Sequence, residues 1–230
     1  FDENPLCPPT LMLCAWSPSI LPPSREWSAN IHVTGYFYSD EIESYQPSPE
    51  LKEFLDAGAP PICVSFGSMV NRDAEKIDKI IRESLAKTSQ RGIILSGWGG
   101  ARNPSSRDLL YLESAPHDWL LPRCQMLIHH GGAGTVAAGL RAGIPQVIVP
   151  FMTDQPFWAR QVHEVGAAPK PILVKHLSVE RLIRAIIEAG SDNIRERAGA
   201  LGQAVHKEDG VTRAVELIET HAQNWKQTNQ

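Results

Sequence analysis

The stretch that decides the fold runs from Met126 to Pro150 and reads MLIHHGGAGTVAAGLRAGIPQVIVP. Both ends are short apolar runs, and between them lies a segment of small residues that opens with paired histidines and glycines. Short apolar runs bounded by glycine are typical of buried parallel strands, and the glycines allow the backbone to approach a ligand closely. The stretch therefore predicts a strand, a tight loop, a helical segment and a second strand.

The same alternation continues on both sides of this unit. Upstream, the apolar runs in PPICVSFGS, GIILSGWGG and DLLYLES predict three more strands, and downstream PKPILV predicts a weak one. Helices are predicted from about Asp154 to Val165, at Ser178–Ala189 and at Ser191–Val205, followed by a final amphipathic helix. Strands that alternate with helices at this spacing predict an α/β fold, a parallel sheet with helices on both faces.

Composition narrows the class of protein. The 230 residues are 42% hydrophobic and 21% charged, which is ordinary for a globular protein. A net charge of -4 gives no basic signature and argues against a nucleic-acid partner. The four cysteines are scattered without C-x-x-C spacing, which favours a reducing compartment. No apolar run is long enough to span a membrane and no signal peptide is evident, so we expect a cytoplasmic protein whose membrane contact, if any, is peripheral.

The segments at the carboxyl ends of the predicted strands are the richest in Gly, His, Ser and Asp. Ligands of open parallel sheets bind beyond these strand ends, so the pattern predicts one crevice lined by all of them. The segments are Gly67-Ser68, Gly97–Gly100, Ser114–Trp119, His129–Thr135 and Pro150–Gln155.

HHGGAGT combines a strand end with a helix start. The free N–H groups of a helix start bind anions with help from the helix dipole. No Lys follows the glycines, so this is not a Walker loop, and the remaining positive charge must come from His129 or His130. That suits a diphosphate. The alternative is a tight turn with core histidines.

TDQPFW and SAPHDWLLP follow two other predicted strands. The Asp154-Gln155 pair offers acceptors and donors suited to adjacent sugar hydroxyls, whereas the alternative makes Asp154 an ordinary helix N-cap. In the second segment His117 and Trp119 could hold a planar base by stacking and edge hydrogen bonds. The alternative there is that Trp119 is a core residue.

These motifs together carry a family resemblance. HHGGAGTVAAGLRAGIPQVIVPFMTDQPFWARQV resembles the nucleotide-sugar signature of family 1 glycosyltransferases with the GT-B fold, and PHDWLLPR is similar to the sterol 3-β-glucosyltransferase branch. The resemblance covers roughly Thr34 to Val165. It implies the C-terminal, donor-binding half of a GT-B fold, with UDP-glucose as the donor substrate and neither a cofactor nor a metal.

The resemblance also implies a role for each matched residue. The diphosphate would meet His129 and the glycine loop, uracil would meet the Pro116–Trp119 loop, and the glucose hydroxyls would meet Asp154 and Gln155. Where the plant branch has Trp-Asn-Ser this chain has Gly132-Ala133-Gly134, so backbone contacts must replace side-chain contacts. The complete expected UDP-binding set is Ser68, Trp98, Pro116, His117, Asp118, Trp119, His129, His130, Gly131, Gly132, Ala133, Gly134 and Thr135.

The expected organisation follows from the same resemblance. Residues 1–48, rich in Pro and Ser, would be an interdomain segment and the end of a missing N-terminal domain. Residues 49–209 would form the Rossmann-like UDP-sugar-binding domain, and residues 210–230 a C-terminal helix with a frayed tail. The catalytic base and the sterol or lipid acceptor would belong to the missing domain. We therefore expect no catalytic residue in this chain and no activity from it alone.

The resulting functional hypothesis is an inverting transfer of glucose from UDP-glucose to a sterol 3-β-hydroxyl, with peripheral membrane association of the full-length protein as a further implication. Two alternatives stay open, namely a non-catalytic nucleotide-sugar-binding module and a transferase for another lipid or small molecule. An NAD-type oxidoreductase is disfavoured, since the first strand is followed by GSMV rather than a dinucleotide fingerprint.

Overall fold

The computed structural model describes residues 10–38, 45–66, 74–97 and 105–228. They belong to two compact units, one built from Phe1–Asp40 and Ala204–Gln230 and the other from Glu41–Gln203. The domain limits expected from the sequence stay a prediction. In chain order the elements are β1 (Met12–Cys14), β2 (Ile31–Val33), α1 (Pro49–Asp56), β3 (Ile62–Ser65), α2 (Ala74–Lys87), β4 (Gly92–Leu95), β5 (Leu109–Leu112), α3 (His117–Leu120), β6 (Met126–His129), α4 (Ala133–Arg141), β7 (Gln146–Ile148), α5 (Gln155–Glu164), α6 (Val179–Ala189), α7 (Asp192–His206) and α8 (Gly210–Thr228).

Within the part of the larger unit that the structure describes, the sheet has five parallel strands in the order β5-β4-β3-β6-β7. The chain runs outward from β3 to β5 and then returns to place β6 on the other side of β3. Ligands of such sheets bind where the strand order reverses, beyond the carboxyl ends. Here that point lies between β3 and β6, where Ser65 and His129 are cross-strand partners.

The core lies on both faces of this sheet. Ile62 and Val64 of β3 pack on the face covered by α2 and α6, and Cys63 packs on the face covered by α1, α3 and α4. All three side chains are fully buried, as expected for a strand covered on both sides. The predicted α/β architecture with helices on both faces is confirmed.

The helix starts differ in a way that matters for the site. Ser48 and Ser178 cap α1 and α6, and their hydroxyls accept the N–H groups of Leu51 and Arg181 at 3.2 and 3.3 Å. Helix α4 starts instead after Gly132, which provides no side-chain cap. The first N–H groups of α4 therefore receive no hydrogen bond from an N-cap side chain.

One predicted element is wrong. PKPILV is not a strand, although Ile172 donates to the carbonyl of Ile148 and Val174 to that of Pro150. Pro169 and Pro171 have no N–H to donate, so a regular ladder cannot form. The segment continues into a short 3-10 turn at Val174–His176.

Among its described residues, the smaller unit contains two short strands, which lie in the stretches LMLCAW and IHVTGYFY. They are β1 and β2, which pair in parallel with Met12 opposite Ile31. The fully buried Ser17 donates its hydroxyl proton to Glu208 Oε1 at 2.6 Å, which ties the strand region to the loop before α8. Among the helices of the described ranges, none combines the length and apolar character needed to cross a membrane.

Candidate functional site

The glycine loop between β6 and α4 has a backbone that other residues could not adopt. Gly131 has φ +90°, and a Cβ on it would lie 2.9 Å from Ile148 Cγ2. Its N–H donates to His129 Nδ1 at 3.2 Å. Glycine is therefore required here both for backbone conformation and for space.

His129 is the histidine whose Nδ1 accepts the hydrogen bond from the Gly131 N–H in this loop. It is fully buried, and because Nδ1 accepts a hydrogen bond, its proton lies on Nε2. Burial, reinforced by the neighbouring charge of His130 and partly opposed by the Gln146 side chain, lowers the pKa of His129 to about 3. A neutral imidazole with no exposed surface cannot present a positive charge to a ligand. The structure thus places His129 in the core rather than on an open surface, and its expected contact with the diphosphate stays a prediction.

His130 lies half-buried at the crevice instead. A Cβ on Gly132 would be 2.5 Å from His130 Nε2, so only glycine lets the imidazole lie against the start of α4. Burial lowers the pKa of His130, while the backbone of Ser65 and the carboxylate of Asp154 favour its charged form. Of the two histidines, His130 is therefore the one whose charged form the Asp154 carboxylate stabilises.

The start of α4 offers the backbone donors predicted from the sequence. The first helical residues are Ala133, Gly134 and Thr135, all with some exposed surface. A Cβ added to Gly134 would have no atom within 4 Å, so the space beside this first turn is open. An uncapped helix start with open space beside it is an anion-binding arrangement.

His117 brings α3 to the same place. Its Nε2 lies 3.2 Å from Ser65 Oγ, at the carboxyl end of β3. Burial lowers the pKa of His117, with the Asp118 carboxylate opposing and the charge of His130 adding to this effect. Pro116 is exposed at the N-cap position of α3.

Trp119 points elsewhere. The Arg123 guanidinium lies over its ring at 4.1 Å, and the Tyr45 ring meets it edge-on at 5.3 Å. The indole also packs against the core on the α1 side and lines a small groove with residues of that helix, including Lys52 and Leu55. Two residues along a helix point in nearly opposite directions, so Trp119 and His117 do not face the same space. Its surroundings fit the core alternative better than base stacking.

Asp154 lies exposed at the N-cap position of α5, but its side chain makes no capping hydrogen bond. Its Oδ2 accepts the indole N–H of Trp158 at 2.9 Å, and Oδ1 lies 3.1 Å from the Thr153 hydroxyl. Thr153 has φ +56°, an uncommon conformation for a β-branched residue. The capping alternative for Asp154 therefore does not describe what its carboxylate does.

Gln155 is held inside the same loop. Its side chain is only 6% exposed, and Oε1 accepts the N–H groups of Phe151 and Met152 at 2.8 and 3.2 Å. This arrangement gives Gln155 a structural role in shaping the loop. The expected contact of Gln155 with sugar hydroxyls receives no support from it.

Sequence reasoning missed three polar residues of this region. Ser65 ends an otherwise apolar strand and contacts His117, Trp158 binds Asp154, and the fully buried Gln146 lies beneath α4, where its amide meets the position of a Gly139 Cβ. Ser65 could have been found as the polar residue that ends an apolar run, and Trp158 from its i, i+4 spacing to Asp154. Two expected residues, Ser68 and Trp98, lie outside the described residues.

The described ranges contain no group of three or more His, Cys, Asp and Glu side chains that could hold a metal ion. The groups that the described region brings together are a helix start with an adjoining imidazole and an exposed carboxylate. That combination suits a ligand with an anionic part and a hydroxyl-rich part.

Comparison with known proteins finds similarity to the C-terminal domains of glycosyltransferases. Residues 109–205 match the family described as "Erythromycin biosynthesis protein CIII-like, C-terminal domain". A sterol 3-beta-glucosyltransferase of Arabidopsis thaliana is 45% identical over 214 residues, which cover 92% of this chain and 34% of the relative. The O-mycaminosyltylonolide 6-deoxyallosyltransferase of Streptomyces fradiae is 39% identical over 214 residues, 92% of this chain and 50% of the relative. The chain thus spans a third to a half of the length of these relatives.

Solved structures agree on the fold. The glycotransferase of kitacinnamycin matches with a TM-score of 0.76 at 20% identity, over 91% of this chain and 54% of its own. The calicheamicin glycosyltransferase CalG4 matches with a TM-score of 0.73 at 22% identity, over 92% and 52%. Taken with the strand order, these likenesses show that the chain has the fold found in GT-B glycosyltransferases, and its residues 109–205 are similar to a C-terminal domain of such proteins.

Proposed function

We propose that the chain is the donor-binding domain of an inverting glucosyltransferase that uses UDP-glucose and a sterol 3-β-hydroxyl as the acceptor. The observation that carries the proposal is the placement of the open α4 start beside His130, within reach of the charge of Asp154. A nucleoside diphosphate sugar needs these two features side by side, an anion site and an acceptor for hydroxyl groups.

The diphosphate binds at the first turn of α4. The N–H groups of Ala133, Gly134 and Thr135 donate to phosphate oxygens, and His130 adds a hydrogen bond that becomes charge-assisted when it is protonated. Uracil and ribose lie toward Pro116 and His117. The sugar lies toward Asp154, whose exposed carboxylate accepts from its hydroxyls.

During transfer, the acceptor hydroxyl gives its proton to a base on another domain and attacks the anomeric carbon from the face opposite UDP. The bond from that carbon to the diphosphate oxygen breaks, and negative charge grows on the leaving group. The helix start and His130 stabilise that charge because they are already oriented toward it. This domain therefore contributes positioning and electrostatics.

The acceptor class rests on relatives. Sterol 3-beta-glucosyltransferases of Arabidopsis thaliana are 45% and 39% identical to this chain. The Streptomyces relative supports a second candidate, a transferase for another small-molecule acceptor. A cytoplasmic protein with peripheral membrane contact fits the sterol acceptor.

Calorimetry of the chain with UDP and UDP-glucose tests the proposal. We expect saturable binding of both that EDTA does not affect, and no binding of NAD. His130→Ala should weaken both ligands alike by about 1.5–3 kcal/mol, the usual range for a hydrogen bond to a charged group. His129→Ala, by contrast, should act mainly through stability. Absence of UDP binding at about millimolar concentration, or a strict need for Mg²⁺, contradicts the proposal.

The acceptor is tested with the longer protein that contains this chain. Radiolabelled UDP-glucose is offered with ergosterol, with cholesterol and with a panel of macrolide-type alcohols. Transfer to a sterol supports the first candidate. Transfer to the other alcohols alone selects the second.

A further inference from the structure

We propose that Trp158 is a positioning residue that aims the Asp154 carboxylate at the donor sugar. The inference rests on the proposed function. It adds a residue that controls the preference for the sugar indirectly, through its hydrogen bond to Asp154. Trp158 itself does not touch the ligand.

The first support is the geometry of the hydrogen bond. Trp158 lies one helical turn after Asp154, and its indole N–H donates to Asp154 Oδ2 at 2.9 Å. The indole is only 8% exposed and packs edge-on against Phe157 with ring centroids 5.1 Å apart, whereas Asp154 is exposed. A donor fixed in the core therefore holds an acceptor at the surface. The carboxylate cannot rotate freely while this bond is made.

The second support is that the carboxylate has no competing use at the helix start. Capping side chains normally accept the N–H of the second or third helical residue. In α5 the second residue is Pro156, which has no N–H, and the third is Phe157, whose N–H already donates to the Asp154 carbonyl at 3.0 Å. Neither N–H that the Asp154 side chain would normally cap is available. The carboxylate can therefore bind the indole and a ligand.

The third support is the acceptor capacity that remains. A carboxylate has about four lone-pair sites, of which the indole takes one. The Thr153 hydroxyl has a single proton, and it lies closer to the Met152 carbonyl, at 2.8 Å, than to Asp154 Oδ1, at 3.1 Å. At least two sites therefore stay available for neighbouring hydroxyls of a sugar. Their direction is set by the bond to Trp158.

The test compares ligand preference in matched variants. Trp158→Phe keeps an aromatic ring but removes the N–H. We expect its affinity for UDP to equal that of the wild type, and its preference for UDP-glucose over UDP to fall by roughly tenfold, toward that of Asp154→Ala. In the Asp154→Ala background, Trp158→Phe should cause no further loss, because the two residues act through one interaction.

A control variant separates positioning from stability. Val162 is fully buried on the same helix, and its apolar side chain has no group that could hydrogen-bond to Asp154. Val162→Ala should lower the free energy of unfolding and leave the ligand preference unchanged. A purely structural role for Trp158 would make Trp158→Phe resemble this control.

A spectroscopic measurement does not depend on the Trp158 variant folding. The indole N–H resonance of Trp158 in the wild type should shift when UDP-glucose is added, shift less with UDP, and move upfield in Asp154→Ala as the hydrogen bond is lost. If the resonance ignores both the sugar and the Asp154 substitution, or if folded Trp158→Phe keeps the wild-type preference, the inference is overturned while UDP binding stands. Failure of the wild type to bind UDP overturns the proposed function and this inference together.

Discussion

Acid should destabilise this protein through His129, and the size of the effect can be worked out. The imidazole is fully buried and its pKa is about 3, against an ordinary value of 6.5. Below the ordinary value the unfolded chain binds a proton that the folded chain does not bind. The stability contributed by the neutral buried form is therefore fully present above about pH 6.5 and is lost as the pH falls toward about 3.

About pH 5 lies roughly 1.5 units below the pKa of the unfolded imidazole. Each unit corresponds to about 1.4 kcal/mol of free energy for binding the proton. His129 alone should then remove about 2 kcal/mol of unfolding free energy between about pH 7 and about pH 5. This is a large share of the stability of a typical domain. Burial also lowers the pKa values of His117 and His130, so the total loss should be larger.

Urea unfolding followed by circular dichroism at both pH values measures the effect. His129→Asn has no imidazole and should be less stable at both, but its loss between the two pH values should be smaller by about 2 kcal/mol. The contributions of the other histidines cancel in this comparison. Leu127→Val, a change at the neighbouring buried position of β6 that faces the same way, should lower stability equally at both pH values. If His129→Asn loses as much as the wild type, the imidazole is not neutral and buried as described.

Three further outcomes follow from the site and its surroundings. UDP affinity should fall as the pH rises from about 6 to about 8, because the diphosphate favours the protonated form of His130, whose pKa is lowered by burial in the free chain. Calorimetry in two buffers should show proton uptake on binding, and His130→Gln should remove that uptake. Gly131→Ala should cost about 1–3 kcal/mol in urea unfolding, since it combines φ +90° with a 2.9 Å contact to Ile148, whereas Gly134→Ala, with open space around it, should not destabilise. Asp78→Ala should cost about 1–3 kcal/mol in the same assay, because the buried carboxylate accepts from Tyr111 and Arg82, each at 2.7 Å; a neutral result would mean that water replaces it.

Most of the sheet could be predicted because its strands are short, apolar and regularly spaced. The error at PKPILV came from counting apolar residues without counting the donors that Pro169 and Pro171 lack. Hydrophobic pattern reports burial, but a strand also needs backbone partners on its neighbour, and those depend on distant residues.

The candidate site was predictable as a set of loops and less so as a set of side chains. His129 and His130 are adjacent in sequence, yet one ends β6 in the core and the other turns into the crevice, and the register with β3 and β7 decides which. The same holds for His117 and Trp119, whose directions depend on where the short helix α3 begins. Strand ends can be read locally, whereas side-chain direction depends on tertiary contacts.

The loop that carries Asp154 is braced by its own residue, since Gln155 Oε1 holds the Phe151 and Met152 amides. Phe151 to Trp158 therefore constitute a cassette that includes its brace, its carboxylate and the indole behind it. We expect this segment to be exchangeable between homologous sheets as one piece where a glycine occupies position 131, because a Cβ there would lie 3.1 Å from the Gln155 carbonyl oxygen. A graft that carried Asp154 but left Gln155 or Trp158 behind would transfer the functional group without the frame that aims it. On the proposed function, a change of donor sugar should accordingly exchange the whole eight-residue segment rather than single positions.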